Sequence, residues 1–192
     1  MLDVDSLALL GGHVALDFVN TIEDRTGHHP DDTLRTPDDL YRWARRVGIE
    51  HVSAESATGS PHDELGRVVH LRESVHAILV AFDTGHEPPP TAMQVVSDTS
   101  AEACAHRRLI GGPPSLTWAW ERPCLENVRY HVALEAASLL TDPRRMARTH
   151  LCAAELCGWF YLDHSKNNSR RWCSMRGCGT REKAKRRTVS HA

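Results

Sequence analysis

The chain has 192 residues and a formal net charge of -2, from 23 Lys and Arg against 25 Asp and Glu, with 41% hydrophobic and 25% charged residues. That balance excludes a disordered, collagen-like or uniformly polyionic protein, and the length allows one domain with a sizeable core plus a small appended module. No apolar run reaches the roughly 20 residues that cross a bilayer, and Asp3 and Asp5 stand where a secretory leader needs Lys or Arg, so a cytoplasmic protein without a membrane partner is expected.

In chain order, the first apolar segment, Gly11 to Ile22, is short and rich in β-branched residues and is expected to be a strand. Thr36, Pro37 and Asp39 then read as N-cap, first helical residue and N3 acid of a helix stopped by Gly48. Ser60, Pro61 and Asp63 repeat the signal ahead of a longer helix whose stripe runs from Leu65 through Val68, Val75, Ile78 and Leu79 to Phe82, ending at Gly85. Thr91 to Ala105 reads as a weaker helix, interrupted by Ser97 to Ser100. Arg108 to Ile110 and Leu116 to Glu121 flank a Gly-Gly-Pro-Pro-Ser loop as a hairpin, with Trp118 and Trp120 on one face. A helix over Glu126 to Leu140 and a short one opened by Asp142 and Pro143 follow. The fold class expected is α+β: a mainly helical N-terminal domain, residues 1–148, with a small antiparallel sheet, then a small C-terminal module, residues 149–192.

Charge is unevenly distributed. From His164 onward there are nine Lys and Arg against the single acid Glu182, a balance of +8, which leaves everything before His164 at -10. A basic end attracts polyanions that an acidic body repels.

Four of the six Cys crowd toward the C-terminus, where Cys152 with Cys157 and Cys173 with Cys178 form two Cys-x4-Cys pairs. Two pairs of thiolates on tight loops can surround one tetrahedral zinc ion, with no position left for a reactive water, so the metal is expected to be structural. His150 or His164 remains an alternative fourth ligand. Cys104 and Cys124 read as packing thiols. Gly158 to Asp163 is expected to be a strand leaving the first pair, and Gly179 to Val189 a short basic helix.

The run Asp163-His164-Ser165-Lys166-Asn167, with Ser169-Arg170-Arg171-Trp172-Cys173-Ser174-Met175 and Cys178-Gly179-Thr180-Arg181, resembles the CGNR zinc finger. Thr180 stands where the name-giving motif has Asn. The N-terminal Gly12-His13-Val14-Ala15-Leu16-Asp17-Phe18-Val19-Asn20-Thr21 is similar to the opening of the ABATE domain, as are the Trp118-x-Trp120 strand and the Ala-rich helix after it. The resemblance implies a bacterial, stress-linked transcriptional regulator.

The function expected is zinc-dependent DNA binding, with Arg170, Arg171, Arg176, Arg181, Lys183, Lys185, Arg186 and Arg187 reaching the nucleic acid, and an N-terminal domain that senses a small-molecule effector or protein partner. Asp17 and Asn20 are the candidate ligand-binding residues. RNA is the alternative polyanion, with Trp159, Phe160, Tyr161 and Trp172 as stacking candidates. A small-molecule-binding or enzymatic N-terminal domain beside a purely structural zinc site is the alternative from another class. No Gly-rich phosphate loop or nucleophile elbow appears and no catalytic residue is expected. A homodimer would suit a reader of two half-sites.

Overall fold

A computed structural model describes the backbone of residues 3–189 and the side chains of residues 3–185. The chain forms two compact units: residues 34–139, and residues 1–33 together with 140–192.

The central unit is helical. Helices α2 (Pro37–Arg46), α3 (Pro61–Asp83), α4 (Pro90–Ala105) and α5 (Glu126–Leu140) surround Leu40, Trp43, Val68, Leu71, Val75, Leu79, Leu125, Val128 and Val132, all nearly inaccessible. Thr36 and Asp39 form the expected capping box on α2, and Ser60 caps α3 through the Asp63 amide. Helix α4 is continuous where the sequence suggests a weak helix. Its Thr99 and Ser100 hydroxyls return to the carbonyls of Val95 and Val96, so these polar residues are satisfied without breaking the ladder. Strands β3 (Arg107–Gly112) and β4 (Ser115–Trp120) make the expected hairpin, with Leu109 opposite Trp118. Two expectations fail here: Phe82, placed on the buried stripe of α3, is 45% exposed, and Cys104 is exposed rather than packed. Both lie near helix ends, where the face that periodicity assigns to the core has run past its neighbours.

The second unit begins with a correction. Gly11 to Ile22 is mostly not a strand: Val14–Val19 is a short helix, α1, and only Ile22–Glu23 is extended, as β1 paired with β2 (Asp31–Asp32). The buried residues Ala15, Leu16, Phe18 and Val19 follow i, i+1, i+3, i+4, one face of a helix, and the His13 ring caps the first turn by accepting from the Ala15 amide. That spacing outweighs β-branched content as a signal. The short helix α6 (Pro143–Met146), capped by Asp142, leads into β5 (Thr149–Leu151), which pairs antiparallel with β6 (Phe160–Leu162). A π-helical turn, Met175–Gly179, runs into α7 (Thr180–Val189). The sheet expected as one small antiparallel element is thus three two-stranded antiparallel ribbons among the described residues. No described helix is long and apolar enough to cross a membrane.

Candidate metal centre and its basic surround

The four cysteines of the two Cys-x4-Cys pairs are buried, and their sulfurs all lie within 4.8 Å of one another. Cys157 and Cys173 are 3.6 Å apart through sulfur, Cys173 and Cys178 3.5 Å. A tetrahedron with zinc–sulfur bonds of about 2.3 Å has edges of about 3.8 Å, so the cage already has the size of a zinc tetrathiolate. Left to themselves the sulfurs must share protons: Cys152 is held well below the usual thiol range by hydrogen bonds from Cys157 and Cys173, while those two are pushed up by the same contacts. A zinc ion replaces these protons and removes the conflict. His150 does not join the set, since its ring Nε2 meets Asn168 Oδ1 at 2.9 Å. The chain therefore carries a structural zinc site formed by Cys152, Cys157, Cys173 and Cys178.

Each cysteine is placed by local backbone features. The first pair sits between β5 and β6, where the Cys152 amide donates to the Trp159 carbonyl at 2.8 Å. Gly158 makes that turn at φ +68°, a conformation side chains resist, and a Cβ there would fall 2.9 Å from Arg25 Cβ. The second pair spans the π turn, which Ser174 caps through the Gly177 amide and Thr180 closes by donating its hydroxyl to the Met175 carbonyl. Thr at the motif's Asn position thus still supplies a polar group to the turn. Amide-to-sulfur contacts surround the cage, among them Cys173 N to Cys152 Sγ at 3.3 Å.

The N-terminal residues brace this module. Asn20, 1% exposed, accepts from the Phe160 amide at 2.9 Å and donates to the Phe160 carbonyl at 2.8 Å, acting as a one-residue strand partner along β6. The Leu162 amide donates to the Gly11 carbonyl at 2.7 Å, and the Trp159 indole to the Ile22 carbonyl at 2.8 Å. Asp17 accepts from the Gly11 amide at 2.8 Å; burial pushes its carboxyl up despite that bond. Both candidate ligand residues are therefore occupied with backbone of their own unit.

The expected nucleic-acid residues separate into distinct environments. Arg170 is half-buried: its guanidinium stacks on Tyr161 at 4.3 Å and donates to the carbonyls of Trp172 and Cys173. Arg181 donates to Cys178 Sγ at 3.1 Å. Lys185 is paired with Glu155 at 3.0 Å and Glu182 at 3.5 Å. Arg171, Arg176 and Lys183 are exposed and make no ion pair among the described residues. Two depressions share Met175: Arg176 and Lys183 line one with Thr180 and Ala184, and Arg171 lines the other with Trp172. Arg186 and Arg187 lie outside the described side chains. Of the aromatic candidates, Trp159, Phe160 and Tyr161 are core residues of the module, and only Trp172 reaches the surface.

On another side of the cage a cleft of about 510 Å³ is lined by Glu23, Asp24, His29, Asp31 and Trp159, together with Cys157, Cys173 and Cys178. Burial and the facing Asp31 raise the Glu23 carboxyl. The cleft has the wrong sign for phosphate.

Asp163 is not among the residues expected from the sequence. It is fully buried and receives the amides of Ser165 and Arg170, while Arg148 donates to its backbone carbonyl. Although burial opposes its charge, those amides hold the carboxyl down to about 2. It orders the loop that delivers Arg171, Trp172 and Cys173. An Asp followed by a polar Ser-x-Asn-Asn turn is the signal that could have found it.

Comparison with known families agrees with this geometry. The model of the ABATE family, described as "Putative stress-induced transcription regulator", matches residues 12–143. The model of the CGNR zinc finger matches residues 148–188. A search of the curated proteins finds no match.

Proposed function

Because the chain belongs to the ABATE family and carries a CGNR zinc finger, we propose that it is a transcriptional regulator that binds DNA through one basic face of its zinc module. The observation that carries this reading is that Arg171, Arg176 and Lys183, exposed and without ion pairs among the described residues, line two depressions that share Met175. Zinc supplies rigidity, not chemistry: it fixes the π turn and the Arg-Arg-Trp segment so that the cations present one surface. Phosphate contacts of this kind give affinity and register without sequence choice. Duplex DNA is favoured over RNA because three of the four stacking candidates are committed to the module core.

The test is binding of zinc-loaded protein to duplex DNA over a series of salt concentrations. Affinity is expected to fall steeply with salt, and Arg171→Gln, Arg176→Gln and Lys183→Gln each to reduce the slope of log K against log salt by about one. Absence of binding, a flat salt response, or tighter binding to structured RNA at equal salt would overturn the proposal.

Sensing by the N-terminal part draws support from the cleft of about 510 Å³, whose volume lies in the range of small-molecule sites and whose carboxylates favour a cationic or neutral effector. Asp17 and Asn20 act in this reading as braces of the module rather than as effector contacts. A panel of small amines that leaves the melting temperature and DNA affinity unmoved would count against a cationic effector.

A further inference from the structure

Arg181 occupies the last position of the Cys178-Gly179-Thr180-Arg181 motif, and by composition it belongs with the cations that attract DNA. Its surroundings give it another task. It stands on the first turn of α7, three positions beyond Cys178, and its guanidinium returns along the helix to place Nη2 3.1 Å from Cys178 Sγ. The cleft onto which it faces holds the carboxylates of Glu23, Asp24 and Asp31 and three of the four cysteine sulfurs, and among the lining residues Arg181 is the only Lys or Arg. Glu23 and Asp31 lie directly opposite each other on the β1–β2 ribbon, a like-charge pairing that costs stability unless a cation offsets it. A zinc tetrathiolate adds a formal charge of -2 to the same wall.

We propose that Arg181 is a positioning residue of the zinc site: its guanidinium holds the Cys178 sulfur in the geometry of the cage and offsets the negative charge gathered around the metal, and it is not a phosphate contact. An N–H···S bond to a ligating sulfur fixes its direction and draws charge from it. Groups that hydrogen-bond to metal ligands in this way typically carry roughly 10- to 100-fold in metal affinity. The inference rests on the zinc site and is independent of whether the protein binds DNA.

The experiment compares full-length wild type, Arg181→Gln, Arg181→Lys and Arg176→Gln. Zinc affinity is read by competition with a chromogenic chelator, and the thiolate-to-metal charge-transfer band of the cobalt-loaded proteins reports whether four sulfurs still surround the ion. Arg181→Gln is expected to keep the band and lose at least tenfold in zinc affinity, Arg181→Lys to recover part of the loss, and Arg176→Gln to match wild type. At saturating zinc, Arg181→Gln is expected to retain wild-type DNA affinity within twofold. Zinc affinity of Arg181→Gln within threefold of wild type would overturn the proposal, as would a loss of DNA affinity at saturating zinc equal to that of Arg176→Gln. If the Gln variant yields no folded protein, Arg181→Met is read by the same criteria. Should wild type bind zinc but no DNA, the functional proposal fails while the zinc comparison still tests this one.

Discussion

Glu126, at the start of α5, accepts hydrogen bonds from the Ser56 and Thr58 hydroxyls and the Ala57 and Thr58 amides, so the loop before α3 closes onto one carboxylate. Burial alone would raise its pKa, but these donors bring it down to about 2. A depressed carboxylate contributes stability that is fully present above its unfolded value, near 4.5, and is lost as pH falls toward 2. Glu126→Gln is therefore expected to destabilise the protein by about 2 kcal/mol at pH 7, the cost of losing charge-assisted hydrogen bonds, and to flatten the stability profile between pH 4.5 and 2. Denaturant melts across that range check both. Arg129 is the companion case: 7% exposed through its side chain, it binds Glu64 and Glu102, both at 2.7 Å, and Tyr130 adds its hydroxyl to Glu102. Arg129→Met leaves Glu64, fully buried, with Arg67 at 2.7 Å as its ion-pair partner among the described residues, and is expected to cost about 3–5 kcal/mol, because a half-emptied ionic network weakens the compensation of a buried charge. Neither residue stands out in the sequence. Nothing local to Glu126 marks partners as distant along the chain as Ser56 and Thr58.

Among the elements, those closed by short-range signals are legible in the sequence and those held by distant partners are not. Helices α2 and α3 announce themselves through Thr36-Pro37 and Ser60-Pro61, because an N-cap and its first-turn partner lie within one helical turn. Helix α1 has six residues, too few to form on its own, and exists because Asn20, Gly11 and Ile22 are fixed against β6 and Trp159. Alternation cannot recognise that arrangement. Asn20→Ala is expected to remove both hydrogen bonds that the side chain makes to the Phe160 backbone and to destabilise the zinc module by about 2–3 kcal/mol, with amide exchange accelerated at β6. Asn20→Asp keeps only the acceptor half of the pair and is expected to fall at or below the alanine variant. Gly158→Ala, placing a Cβ at φ +68° against Arg25, is expected to lower zinc-loaded stability by about 1–3 kcal/mol; a melting temperature equal to wild type would refute that reading of the turn.

For the molecule as a whole, the tertiary grouping redraws the charge map. Residues 34–139 hold 10 Lys and Arg against 14 Asp and Glu, while residues 1–33 and 140–192 together hold 13 against 11. The basic end shares its unit with one of the most acidic stretches of the chain, so the split of -10 and +8 along the sequence becomes -4 and +2 in space. Each unit has its own core. Chelation of zinc is accordingly expected to expose amides of residues 149–189 to exchange while α3 and α5 keep their protection, a pattern that hydrogen exchange by mass spectrometry reads directly; uniform loss of protection would contradict it.

The sequence by itself determined the metal: four cysteines in two matched pairs carry their chemistry wherever the backbone brings them together, and their spacing limits where that can be. It also determined the capped helices and the hairpin, whose signals are local. Only the tertiary structure decided which cations remain available to a partner. A guanidinium is committed by whatever acceptor lies within hydrogen-bonding reach, and for Arg170 and Arg181 those acceptors are carbonyls, an aromatic ring and a cysteine sulfur brought near by folding. Charge can be counted along a chain, but its partners are assigned in space.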